Sequence, residues 1–173
     1  MLEIGIGTNH LDVPSTMGVT GVPGASLRAW RELLPLAAIV GADVDERILF
    51  QDHRIETYAV DQTRPETIDA LMVTLGEQKL DLLVDDGLHT FEANLNVFRH
   101  AYPKIRKGGL FIVEDVQKSD VPRWENLLGR SGHLAAIIRP PHATNMNDNC
   151  IVVVEGGHYP EGLFTTAVAA ADD

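Results

Sequence analysis

The chain has 173 residues, with 14 Lys and Arg against 25 Asp and Glu, for a formal net charge of −11. That length suits one domain, and 45% hydrophobic residues argue against disorder. So acidic a chain repels phosphate backbones and anionic bilayers, which argues against nucleic-acid and membrane partners. No apolar run reaches the length of a membrane span, and the first residues lack the basic and apolar regions of a signal peptide. The single Cys150 leaves no internal disulfide and fits a reducing compartment, so a cytoplasmic location is expected.

Short apolar runs at 2–6, 37–42, 55–60, 80–84, 109–113, 134–138 and 151–154 read as strands buried on both faces, as in a mostly parallel sheet. Amphipathic segments alternate with them. Leu27, Trp30, Leu33 and Leu34 share a stripe that Pro35 ends. Thr63 and Glu66 have the spacing of a capping box ahead of Ile68, Leu71, Met72 and Leu75, and Gly76 follows. Thr90 precedes Phe91, Leu95, Phe98 and Tyr102, with Pro103 and Gly108-Gly109 beyond. The charges at 104–107 read as a complement to that helix's C-terminal dipole, and a weaker helix is expected at 123–128. Strands alternating with helices imply right-handed βαβ units. The polar stretch 139–149 lacks a helix, so the last strand is expected to return antiparallel. Residues 1–164 are expected to form a single domain and 165–173 a mobile tail.

Glu3-Ile4-Gly5-Ile6-Gly7 marks the turn after the first strand, where glycines let a ligand approach the backbone. A tight turn without a ligand has the same signature. A dinucleotide fingerprint needs a third Gly at position 10, which is His10, and the long loop to position 23 also counts against NAD. Asp43 ends the second strand, where an acid can accept from both ribose hydroxyls of a nucleoside. It could equally cap a helix, although Asp45 can take the cap and leave Asp43 to a ligand. Asp61-Gln62 occupies the same place after the third strand, as an adenine contact or as a turn.

Asp85-Asp86-Gly87-Leu88-His89 follows the fourth run, and Glu114-Asp115 follows the fifth. Each pair alone is common in caps and turns. At neighbouring ends of parallel strands about 5 Å apart, however, four carboxylates converge beside His89, and such a cluster needs a cation to stay ionised. Oxygen ligands suit Mg²⁺, Mn²⁺ or Ca²⁺. His142, Asn145, Asn147 and Asp148 read as a solvated loop or as a pocket rim. His53, His100, His133 and His158 read as surface residues, and Trp30 and Trp124 as packing residues.

Taken together, the segments 2–7, 24–30, 40–43, 84–89 and 108–115 resemble the class I S-adenosylmethionine-dependent methyltransferases. They are most similar to the Mg²⁺-dependent macrolide sugar O-methyltransferases of the mycinamicin and macrocin type and their cephalosporin-hydroxylase-like relatives. The segments run in the family's order over about two thirds of the chain. The resemblance implies a doubly wound, Rossmann-like sheet of seven mostly parallel strands with an antiparallel last strand. It implies S-adenosylmethionine against Glu3, Gly5 and Gly7, its ribose on Asp43, its adenine near Asp61 and Gln62, and its amino group toward Asp85. It implies Mg²⁺, or another hard divalent cation, on Asp86, Glu114 and Asp115, with His89 as general base toward a small hydroxylated substrate of natural product biosynthesis. A homo-oligomer is expected by the same likeness.

Two departures stand out. The family's N-terminal extension has no counterpart ahead of Leu2, and Leu88 stands where the family often has Ser. The first leaves open a non-catalytic cofactor-binding or oligomerising domain. A nicotinamide-dependent oxidoreductase is the remaining alternative, disfavoured by His10.

Overall fold

Local chemistry sets the element boundaries. The computed structural model describes residues 1–141, 145 and 147–157. The strands are β1 (Leu2–Ile4), β2 (Ile39–Asp43), β3 (Gln51–Asp52), β4 (Ile55–Ala59), β5 (Leu80–Asp85), β6 (Ile105–Val116), β7 (Ala135–Ile138) and β8 (Cys150–Glu155). The helices are α1 (Ala25–Leu33), α2 (Pro65–Thr74), α3 (Phe91–Ala101) and α4 (Val121–Ser131). Helix α1 ends at Leu33 and is capped by Leu34, just ahead of Pro35, which cannot supply the next backbone donor. Helix α3 begins where the Thr90 hydroxyl accepts from the Ala93 amide, at 3.4 Å. The capping box expected at Thr63 does not form. Pro65 opens α2 instead, and Asp61 draws in the Thr63 amide and hydroxyl at 2.9 and 2.6 Å.

The sheet order is β3-β4-β2-β1-β5-β6-β8-β7, parallel from β4 through β6, with β8 antiparallel to both its neighbours. The reversed last strand is as expected. The sheet has eight strands rather than seven, because residues 53–54 turn β3 back along the edge of β4. The charged stretch 104–107 does not end a helix. Ile105, 1% exposed, starts β6 and pairs with Leu80, so β6 is longer than the apolar run suggested.

The two faces of the sheet are covered unequally. Helices α2, α3 and α4 pack on one face, where Phe98 meets Phe111 at 5.6 Å and the fully buried Trp124 at 6.0 Å between ring centres. His133 is buried beside Phe98 and Tyr102, not on the surface as expected. Helix α1 packs on the other face through Leu27, against Ile6, Ile39, Ile55 and Val84. Burial of each such aliphatic side chain contributes roughly 1.5–3 kcal/mol. The expectations for His142, His158 and residues 165–173 lie outside the described residues.

Connectivity places the functional edge. From β1 the chain winds outward through β2 to β4, then crosses to β5 on the opposite side of β1. That reversal leaves a crevice beyond the carboxyl ends of β1 and β5, where open α/β sheets bind ligands.

Candidate active site

A cavity of about 310 Å³ opens at this crevice. Its wall includes Gly5, Gly7, Asp43, Val60, Asp61 and Leu88. The volume lies at the lower end of the range for small-molecule sites, roughly 300–1,000 Å³. Gly5 is needed here: its φ is +88°, and a Cβ would lie 2.2 Å from the Asp86 carbonyl oxygen. Asp43 is buried and oriented by two amides, accepting from Ile6 at its Oδ2 and from Asp45 at its Oδ1, each at 3.0 Å. It therefore faces the cavity already bonded, not free as expected, and each oxygen keeps a further lone pair. Asp45 does hold the following turn, accepting from the Arg47 amide at 3.1 Å. A network missed in the sequence adds to this turn. The Asp45 carboxylate also accepts from Thr8 at 2.6 Å and from the Arg47 Nε at 2.6 Å, and it lies 2.7 Å from His10 Nδ1. Those bonds hold Asp45 well below the usual carboxylate range and tie down the loop after Gly7, whose Pro14 and Ser15 join the cavity wall.

Three of the expected cofactor residues are differently engaged. Glu3, 2% exposed, accepts from the Ser26 hydroxyl and, at 2.7 Å, from the Trp30 indole N–H. It lines a second hollow of about 240 Å³ against α1, shared with Asp86 and Glu114. Burial pushes Glu3 up to about 7 despite those two donors. Asp85 is fully buried and turned toward α3, accepting from Gln62 Nε2 at 2.5 Å and Asn94 Nδ2 at 2.9 Å. With both oxygens engaged and no exposure, it does not reach the cavity, contrary to expectation. Burial raises it to about 6, against the lowering effect of the Asn94 and Gln62 bonds. Gln62 lines the cavity, but its side-chain amide is spent on Asp85 and on the Leu88 amide, at 2.7 Å, so it is not free to read an adenine edge.

The second half of the site gathers at the ends of β5 and β6. One ligand atom from each of Asp86, His89 and Asp115 lies within 4.8 Å of the others. His89 Nε2 stands 3.3 Å from Asp86 Oδ1, and that contact raises the imidazole above its ordinary value against the opposing effect of burial. Burial raises Asp115, and the Asp86 charge adds to it. Burial also raises Glu114, with the charges of Asp86 and Asp115 adding. Among the described residues no lysine or arginine pairs with Asp86, Glu114 or Asp115.

Alternation along β6 would turn Asp115 away from Asp86. A bulge corrects it: Val113 pairs with Val152 and Val116 with Cys150, so β6 holds one extra residue there. Asp115 has φ +50° and His89 has φ +56°. Non-glycine residues in this region cost about 1–3 kcal/mol each and gather at functional sites. Glu114, expected with the metal set, stands outside the compact trio and faces the hollow beside α1. Asn147 and Asp148 stay in the loop ahead of β8, where the Asn147 carbonyl accepts from the Lys118 amide at 2.8 Å.

The carboxylates of Asp86 and Asp115, with Glu114 adjacent and no lysine or arginine paired with them among the described residues, offer the oxygen ligands that a hard divalent metal takes. Apolar walls with a fixed carboxylate fit a nucleoside.

Known proteins match this architecture. The family model described as "Methyltransferase domain" matches residues 23–116. The 8-demethyl-8-alpha-L-rhamnosyl tetracenomycin-C 2'-O-methyltransferase of Streptomyces olivaceus is 29% identical over 125 residues, covering 72% of this chain and 30% of its own length. Demethylmacrocin O-methyltransferase of Streptomyces fradiae is 32% identical over 93 residues, covering 54% of this chain and 23% of its own. This chain thus spans less than a third of either. The solved MycE methyltransferase of the mycinamycin pathway, in complex with Mg, SAH and mycinamycin VI, superposes with a TM-score of 0.64 at 25% identity, covering 93% of this chain and 45% of its own. A match across more than half of the residues, on the same doubly wound fold, makes this chain a member of the methyltransferase domain family.

Proposed function

We propose that this chain is the catalytic domain of an S-adenosylmethionine-dependent, metal-assisted O-methyltransferase, acting on a sugar hydroxyl of a glycosylated natural product. The observation that carries it is the meeting of Asp86, His89 and Asp115 at the rim of a nucleoside-sized cavity. The relatives' names support the acceptor class, and the Mg and SAH of the MycE complex support the cofactors. When bound, S-adenosylmethionine supplies the methyl group and Mg²⁺ supplies the positive charge that acidifies an acceptor hydroxyl.

The chain's own residues do the rest. Asp43, fixed by the Ile6 and Asp45 amides, would hold the ribose diol in a cavity whose wall includes Val60 and Leu88. Asp86 and Asp115 would hold the metal, with Glu114 on the adjacent face. His89 would take the acceptor's proton, and Asp86, 3.3 Å from its Nε2, would stabilise the imidazolium that results. Together these residues set the acceptor oxygen in near-attack range, where positioning supplies much of the rate.

No helix among the described residues is long and apolar enough to cross a membrane. A cytoplasmic place of work, consistent with the free, buried Cys150, is part of the same proposal. Assembly as a homo-oligomer is too, and light scattering tests it.

Titration calorimetry with SAH, with and without Mg²⁺, followed by methyl transfer from labelled S-adenosylmethionine to glycosylated acceptors, tests the reading. Metal-dependent transfer is the expected result. SAH binding indifferent to Mg²⁺, with no transfer, identifies a binding module instead.

A further inference from the structure

The buried bridge between the cavity and the His89 turn has no role in the chemistry above. Gln62 is 6% exposed and forms part of the cavity wall. Its side chain works at both ends. Nε2 donates to Asp85 and Oε1 accepts from the Leu88 amide, one residue before His89. Its carbonyl accepts from Asn96 Nδ2 at 2.8 Å, and Asp85 also accepts from Asn94, so two residues of α3 brace the same bridge. Gly87 is moulded to it, since a Cβ there would lie 1.9 Å from Gln62 Oε1. The Asp86 amide closes the other side, donating to Ile4 at 2.8 Å. The turn carrying Asp86 and the left-handed His89 is therefore clamped between β1 and Gln62.

We infer that Gln62 is a positioning residue that couples occupancy of the cavity to the placement of His89. This rests on the cavity's being the cofactor site. A ligand packed against Gln62 holds the amide in the orientation that serves both Asp85 and Leu88. By linkage, whatever disturbs the bridge weakens the ligand by the factor that the ligand strengthens the bridge. A polar clamp is specific in a way an apolar wall is not, because the donor and acceptor ends of the amide cannot be exchanged without losing both bonds.

The test uses that polarity. Gln62→Glu sets a carboxylate against Asp85 and loses the donor. Asp85→Asn in the same chain restores a donor facing it, while the second Glu oxygen still accepts from Leu88. The readouts are SAH affinity by calorimetry and the His89 ring signals by NMR, titrated with SAH. In the wild type, SAH shifts the His89 signals. In Gln62→Glu the affinity falls about tenfold or more, the worth of one buried hydrogen bond, and the His89 response is lost. The reciprocal double variant recovers both, with the melting temperature separating recovery of the site from recovery of folding. SAH binding that leaves His89 unmoved in the wild type, a Gln62→Glu chain that still transmits the shift, or a folded double variant without recovery each overturns the coupling. A wild type that does not bind SAH at all overturns the cofactor reading itself, and the coupling with it.

Discussion

The two halves of the functional edge treat negative charge in opposite ways. Beyond β1 and β2, each carboxylate is surrounded by donors: two amides serve Asp43, while Thr8 and Arg47 serve Asp45, with His10 alongside. At the ends of β5 and β6, Asp86 and Asp115 meet one imidazole, with Glu114 on the adjacent face. Satisfied acids form a rigid cradle whose hydrogen-bonding directions are set before any ligand arrives. Unsatisfied acids hold electrostatic energy that a cation releases. On the proposed function, the same residue type would hold a neutral diol in one half and a metal in the other.

The sharpest way to break this contrast is at His89. His89→Ala is expected to lower kcat by about 100- to 10,000-fold, the range for loss of a general base, while calorimetric SAH and Mg²⁺ affinities hold. A collapse of Mg²⁺ affinity would instead make His89 a ligand, which its place in the compact trio also allows.

Glu3 lies on the seam between the halves, and its effect falls on stability. Its folded pKa of about 7 lies above the ordinary 4.5, so the folded chain binds the proton more tightly than the unfolded one. Stability contributed by the protonated form is complete below about pH 4.5 and is lost as pH rises through about 7. Glu3→Gln removes that loss. Its unfolding free energy should vary less over this window, by up to about 3 kcal/mol. Parallel pH profiles for the two chains would refute the assignment.

In the charged half, Asp115→Asn should weaken Mg²⁺ at least about tenfold, since affinity follows ligand charge, and chelation of the wild type should stop transfer. In the satisfied half, Asp43→Ala should weaken SAH by about tenfold or more, as expected for a hydrogen bond to a charged group, without changing Mg²⁺ affinity. Equal responses of both ligands to both substitutions would dissolve the distinction.

Much of the plan was legible in the chain order. Gly5 and Gly7 at a strand end, Asp43 after the next strand, and Asp86, His89 and Asp115 after two later ones are local signals, and the parallel sheet brings them to one edge. What misled was sidedness. Asp85 and Asp86 look like a pair, but Asp85 ends β5 and Asp86 follows it, so they turn to opposite faces, one into the packing of α3 and one into the site. Pro65 displaced the cap that Thr63 seemed to offer. Nothing local marks Gln62 as a bridge to a turn 26 residues away, because a single polar side chain after a strand reads only as a turn.

The chain's own order of apolar runs, breakers and acids determined a doubly wound sheet and which strand ends carry its chemistry, since periodicity and turn chemistry act over a few residues. Only the folded molecule decided which acids are met by donors and which crowd one another. That depends on donors brought from distant segments, and on a bulge in β6 that redirects Asp115 against the pleat.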